Sequence, residues 1–474
     1  MKNEIPYLIF FTLVFIYILF GYGVTTSNDS LTNVEQIVSL DLLYRSSHFS
    51  FHLFGIIFYL IFSKIFGLAA VTSVEVMLAL FSATAAVALY QIVLKKYNNI
   101  YQAIITVIIY CFASGVFRFS CQTEYLVLVP SLGIISLYFY SKDQYLIAGV
   151  FFGLGLLTSP FTLLFAPTFL LFKSYKELFT KQNIGFVIST IAVYVIVNIF
   201  TFRETMSGEW SYGGEITYYS AIWGDINFIR IAAIYIYGYL RSFNILIILL
   251  PYIFYYLYKS NKELFYILIT TLLIHLPVAI PEGRYGGYQM TAYPIIAISV
   301  GFFLNNLLMR QKYTILLIII LYLGSNIFVV TAEREFHRDL KETYTQLSHN
   351  LENNSVLIVY RAVRPIKNIY APNLKVYGLL SDYQTEVEKN IPGYVPTNLN
   401  EILNNNDVVY LLESGQSMPD DHLKLLVSQF TKNQGAKVKG FALDKILTTN
   451  SLFHPEKLDD YPLDVYRLTK GKKE

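Results

Sequence analysis

The strongest constraint on this chain is a succession of long apolar runs. A helix needs about 20 mainly apolar residues to cross a bilayer. Such runs lie at Ile5–Tyr22, Val71–Leu94, Ile100–Phe117, Tyr125–Tyr140, Tyr145–Ser159, Phe161–Phe172, Ile184–Phe202, Phe243–Tyr258, Leu264–Ile280, Thr291–Leu308 and Tyr313–Val330. They predict a mostly α fold, a polytopic transmembrane bundle of about 11 spans. Composition agrees: 54% of residues are hydrophobic and 15% charged, where soluble domains carry about 25% charged residues. The mean hydropathy is +0.46. Phe49–Phe66 and Asp225–Leu240 are apolar but interrupted by His, Ser, Lys or Arg, and read as helices lying at the membrane face. No small-residue cleavage site follows the first run, so it is a span and not a signal peptide.

Charge divides the chain. Met1–Ala332 carries 18 Lys+Arg and 14 Asp+Glu, against 18 and 19 in Glu333–Glu474. The expected domains are therefore a membrane body, 1–332, and a soluble domain, 333–474. In the second, Ser355–Tyr360, Lys375–Leu379 and Asp407–Leu412 read as strands and Asp421–Phe430 as a helix, with Val465–Leu468 closing the sheet. That is the pattern of a small α/β domain. It has no glycine-rich phosphate loop, CxxC, HExxH or GxSxG, and reads as a binding or packing appendage. The net charge of +3 gives no basis for a nucleic-acid partner. Two cysteines, Cys111 and Cys121, make no disulfide framework.

The positive-inside rule orients the body with its N-terminus cytoplasmic and its C-terminal domain extracytoplasmic. One set of loops then holds Lys2, Lys95, Lys96, Lys142, Lys173, Lys176, Lys181, Lys259, Lys262, Arg310 and Lys312. The other holds Arg45, Lys64, Arg118, Arg203, Arg230, Arg241 and Arg284. Arginine grips phosphate through two parallel donors, whereas lysine at a membrane edge serves topology. The acids Asp29, Glu35, Asp41, Glu75, Glu124, Glu204, Glu209, Glu215, Asp225 and Glu282 share the arginine side. The chemistry is therefore expected on that face. Its longest loops are Gly23–Ser47 and Arg203–Gly224; the second holds Trp210 and Trp223 among Tyr212, Tyr218 and Tyr219. These aromatics are either an interfacial belt or a stacking surface for a sugar.

Carboxylates at a bilayer edge are costly, and so are candidates for function. Asp29 directly follows the first run, and Glu124 opens the fourth. Pro281–Tyr285 (Pro-Glu-Gly-Arg-Tyr) leads into a span, and His48 opens the segment that ends at Phe66-Gly67. In these features the chain resembles the GT-C class of membrane glycosyltransferases, which use polyprenyl-phosphate-linked sugars. It is most similar to the protein O-mannosyltransferase and aminoarabinose-transferase branch. Asp29 matches that class's acid in the first outer loop, and His48 with Phe66-Gly67 matches its amphipathic helix. Glu124 matches an acid after the third span, and Arg284-Tyr285 a late Arg-Tyr. Two prolines that follow the histidine in the class are Phe49 and Ser50 here, and the first-loop acid is single.

The resemblance implies transfer of a sugar from a polyprenyl-phosphate donor to a protein, lipid or glycan acceptor, with membrane lipid around the body. Such a reaction needs a base on the acceptor hydroxyl and cations on the departing phosphate. Asp29 suits the base, since partial desolvation raises a carboxylate's basicity. Arg284, with Arg45, Arg118 or Arg241, suits the phosphate, and His48, Glu282 and Tyr285 complete the substrate-binding set. Direct displacement would invert the anomeric centre. Simpler roles stand beside these. Asp29 can cap a helix, and Glu124 can pair with Arg118. His48 and His52 share a helical face but have no acidic third ligand at motif spacing, so no metal site is assigned and a divalent cation is left open. His275 reads as a hydrogen-bonded bundle residue. Two rival functions remain: a non-catalytic binder of lipid-linked sugar or envelope-assembly protein, and a transporter or flippase. No repeat relates the two halves, as many transporters would require.

Overall fold

The computed structural model describes residues 4–24, 28–42, 48–172, 180–200, 228–282, 288–308, 311–359, 370–378, 399–413 and 453–471. Contacts divide the chain into two units. Met1–Gly23 with Asn33–Ala332 forms the first, and Val24–Thr32 with Glu333–Glu474 the second.

Each apolar run of the sequence is mostly helical where it is described. The first unit opens with α1 (Ile5–Leu19), α2 (Asn28–Val38) from Asn33 onward, and α3 (Phe49–Phe58), the last continued by a π-helical turn, Tyr59–Ile65. Then come α4 (Ala70–Tyr97), α5 (Ile100–Cys111), α6 (Ser114–Phe119), α7 (Leu128–Ser141), α8 (Tyr145–Leu156), the 3₁₀ helix Pro160–Leu171 and α9 (Lys181–Phe200). Further helices cover Phe228–Phe243, Ile245–Ile248, Leu250–Ser260, Lys262–Glu282, Tyr293–Leu308 and Lys312–Asn350. Among the described residues, Ala70–Tyr97, Gln289–Leu307 and Lys312–Asn350 are long and apolar enough to cross a membrane, and shorter apolar helices accompany them. The surface matches a hydrocarbon solvent. On α1, Tyr7, Phe11 and Phe15 fall on one face and are 68%, 66% and 67% exposed, while Leu13 and Tyr17 are buried.

The helices depart from straight spans in three places, each with a local cause. Ile100–Phe117, expected to be continuous, breaks at Phe112–Ala113 into α5 and α6. The break bares carbonyls that lipid cannot satisfy. Tyr322 donates its hydroxyl to the carbonyl of Ile109 at 2.7 Å, and Tyr17 to that of Cys111 at 3.4 Å. Phe243–Tyr258 divides at Leu249, with Asn244 (φ 34°) capping Ile245. Pro160–Leu171 is 3₁₀, with Pro167 inside it. Twelve residues at a 3₁₀ rise cover roughly 24 Å, about 6 Å more than in α geometry.

Close backbone approach joins α8 to α9. A Cβ added at Gly149 would stand 2.3 Å from the carbonyl oxygen of Phe186, and one at Gly153 would stand 3.0 Å from that of Thr190. This small-xxx-small spacing lets membrane helices pack through their backbones. At one end of the unit the lysines do more than balance topology. Lys95 donates to the carbonyl of Ser141, and Lys96 to that of Leu171 and, at 3.1 Å, to the carboxylate of Glu263. Both thereby complement the negative ends of neighbouring helices. They also gather the α4, α7 and 3₁₀ termini at a single end.

The second unit contains a mixed sheet of β1 (Val356–Val359), β2 (Lys375–Gly378), β3 (Val408–Glu413), β4 (Phe453–Leu458) and β5 (Asp464–Lys470), in the order β2-β1-β3-β5-β4. The pairs β1–β2 and β1–β3 are parallel; β3–β5 and β4–β5 are antiparallel. Val356 and Ile358 pack on one side with Ile402 and Leu403, and Leu357 and Val359 on the other with Leu340, Tyr344 and Leu347. Burial on both faces is why β1 reads as an unbroken apolar run. Val465–Leu468 belongs to β5, an inner strand, and β4 forms the edge beyond it. The expected helix Asp421–Phe430 lies outside the described residues.

Candidate active site

The site is built at the end of the first unit opposite Lys95 and Lys96. Where α1 ends, Tyr22 donates its N–H to the carbonyl of Cys121 at 3.1 Å, and Gly23 donates to Glu75 Oε1 at 2.8 Å. The chain then enters α2, whose first turn contains Asp29. The side chain of Asp29 is outside the described residues. One turn further on, Asn33 is buried, and its Oδ1 lies 3.3 Å from Nε2 of His52 in α3. Ile37 packs against Gly55, where an added Cβ would stand 2.4 Å from Ile37 Cδ1.

His48 precedes α3 at its N-cap position. Its Nδ1 lies 2.9 Å from the carbonyl of Thr158, just past α8. A carbonyl only accepts, so Nδ1 carries the hydrogen, and a neutral ring presents Nε2 as its acceptor. The imidazole stacks on Tyr125 with centroids 3.9 Å apart. Tyr125 follows Glu124, which is half-buried and extended (φ −122°, ψ 142°) before the single 3₁₀ turn Tyr125–Val127. His48 and Glu124 are thereby brought to neighbouring positions. His48 and His52, on one helical face, engage different partners. Among the described residues no group of three or more His, Cys, Asp or Glu gathers as a metal-binding set.

Two arginines lie on elements joined by a hydrogen bond. On α6, Ser114 donates its hydroxyl to the carbonyl of Arg241 at 2.9 Å. Arg118 lies one turn along α6 from Ser114, so α6 carries it toward the same region. Its Nε donates to Gln122 Oε1 at 3.4 Å, and its guanidinium lies 5.2 Å from the centre of the Phe119 ring. Beside Arg241, the hydroxyls of Ser242 and Tyr293 are 2.6 Å apart. Both arginines are half-buried, a setting in which charge–phosphate contacts are screened less than in open water. His275 is held between the Thr271 carbonyl (2.7 Å) and the Thr291 hydroxyl (2.6 Å), the bundle role expected of it.

The other expected residues are not described in the same detail. Glu282 ends the helix Lys262–Glu282, with its side chain outside the described residues. Arg45, Arg284, Tyr285, Trp210 and Trp223 lie outside them altogether. Tyr125, Thr158 and Ser114 gave no sequence signal beyond their neighbours. Glu75 was visible only as one acid among those of the arginine face.

The fold of this body and sheet is that of solved ArnT structures. The solved structures it resembles include ArnT from Cupriavidus metallidurans bound to undecaprenyl phosphate, with a TM-score of 0.60, 10% identity and coverage of 98% of both chains. The same protein in its apo state aligns at a TM-score of 0.59, also with 10% identity and 98% coverage of both chains. No family model and no curated protein matches the chain.

Proposed function

We propose that this chain is a multi-pass membrane glycosyltransferase that moves a sugar from a polyprenyl-phosphate donor to an acceptor on the extracytoplasmic face, with inversion. The observation that carries this reading is the likeness of nearly the whole chain to ArnT bound to undecaprenyl phosphate. The arginine-bearing end of the body supports it further. Asp29 is the base that takes the acceptor's proton as its oxygen attacks the anomeric carbon. The electron pair of the breaking C–O bond leaves with the phosphate, which Arg118 and Arg241 stabilise together with Arg284 and Arg45. Glu124 orients the acceptor or an arginine. His48, Glu282 and Tyr285 line the donor. Residues 1–332 form the membrane catalytic body, and residues 333–474 an extracytoplasmic domain without catalytic groups of its own.

A donor with a radiolabelled sugar on polyprenyl phosphate, given to the protein in proteoliposomes, tests the reading. Transfer that is lost in Asp29→Asn supports it; absence of transfer from every hexose and pentose donor overturns it. Phe49 and Ser50, standing where the class has prolines, favour one competing reading, a binder that holds lipid-linked sugar without transferring it. Donor binding without turnover would select that reading. A reporter fused after Glu474 that reads cytoplasmic would overturn the orientation.

A further inference from the structure

Glu75 is a buried carboxylate that the proposed chemistry leaves unused. It lies in the second turn of α4 and is 6% exposed. A carboxylate at such a place is costly unless it is hydrogen-bonded. Its Oε1 accepts the N–H of Gly23 at 2.8 Å. At Gly21 an added Cβ would stand 3.2 Å from its Oε2, and Gly23 has φ +65°, a conformation costly for L side chains. Between the two glycines, Tyr22 is buried and donates to the carbonyl of Cys121 at 3.1 Å. Tyr22 and Gly23 are thus held from two directions, by the segment that runs on to Glu124 and by α4.

We propose that Glu75 is a positioning residue, whose carboxylate fixes the end of α1, from which the chain runs on to Asp29, against the segment that runs on to Glu124. It takes no proton from the substrate. The proposal rests on Asp29 acting as the base, as above. A misplacement of about 1 Å at a reacting group can cost 10²-fold in rate, so a firm anchor at the root of this loop has a direct catalytic consequence.

The test compares Glu75→Leu, which removes the acceptor, with Glu75→Gln, which keeps one oxygen, in the full-length protein in lipid nanodiscs. Glu75→Leu should lower kcat about 10²-fold while changing the donor KM by no more than about twofold. Amide exchange should quicken about tenfold at Gly23 and through α2, with α7 and α8 unchanged. Glu75→Gln should restore kcat to within about threefold of wild type with an unaltered pH profile. An unchanged kcat in Glu75→Leu overturns the proposal. So does a Glu75→Gln protein as slow as Glu75→Leu, which would mean that the charge itself takes part. Protection lost throughout the bundle would reduce Glu75 to a general stabilising residue and also overturn it. Should the wild-type protein transfer no sugar, the functional reading falls, and the exchange measurement still decides whether Glu75 fixes this segment.

Discussion

The imidazole of His48 lies on the ring of Tyr125, with centroids 3.9 Å apart and planes 29° from parallel. Through that contact and the bond to Thr158, the start of α3, the segment after Glu124 and the end of α8 meet at one side chain. Stacked aromatic pairs contribute about 0.5–1.5 kcal/mol beyond their burial. We predict that Tyr125→Phe keeps the stack and stays near wild type. Tyr125→Leu should lose stability by about that amount and weaken donor binding. Equal thermal midpoints and donor affinities for the two variants would show that the ring contact has no such role.

The Asp29 prediction concerns chemistry alone. Removing a general base typically costs 10²–10⁴-fold in rate, and Asn is nearly isosteric with Asp. Asp29→Asn should lose turnover by a factor in that range while binding donor with little change. Unchanged turnover in a folded, inserted Asp29→Asn protein would remove it from the mechanism.

For the arginines, the expected signature lies in binding. Ser114, one turn before Arg118 on α6, donates to the backbone carbonyl of Arg241, and lysine keeps the charge but not the planar fork. Arg241→Lys and Arg118→Lys should each weaken polyprenyl-phosphate affinity about tenfold, the effect of losing roughly one charge-assisted hydrogen bond. Affinities equal to wild type in both would move the phosphate elsewhere.

Packing of α8 on α9 gives a stability prediction with its own control. Gly149→Ala forces a methyl group toward the Phe186 carbonyl at 2.3 Å and should cost about 1–3 kcal/mol. Gly185→Ala meets only Leu146, at ordinary contact distance, and should be neutral or slightly stabilising. Thermal unfolding in detergent reads both, and a Gly149→Ala midpoint at or above wild type would contradict the close approach.

Much of the helical body was legible because length and apolarity alone define a membrane helix; Ala70–Tyr97 differs from its apolar run by a few residues at each end. The break after Cys111 was not, since Phe112 and Ala113 carry no proline or glycine signal. Hydroxyls from Tyr17 and Tyr322, distant in sequence, satisfy the exposed carbonyls. The 3₁₀ geometry of Pro160–Leu171 was hinted at by its two prolines, yet its greater rise is what makes a short run long. In the sheet, β4 stayed hidden because His454, Pro455, Glu456 and Lys457 suit an exposed edge and show no alternation. At the site, Glu124 and His48 stood out by chemistry and position. Tyr125 read as an ordinary aromatic opening a span, and only tertiary contact gives it a partner.

The two tyrosines at the break in α5 also bear on how the body is made. Tyr17 comes from the first apolar helix and Tyr322 from the last, so one satisfying hydroxyl is available from the start of synthesis and the other only once the last apolar helix has been made. Until Lys312–Val330 has been inserted, the carbonyl of Ile109 lacks the partner it has in the finished fold, and α5 has less reason to stop where it does. The break that precedes the helix bearing Arg118 gains this hydrogen bond only after the last apolar helix is in place. The arginine end of the body acquires its final shape only once the whole membrane portion of the chain is present.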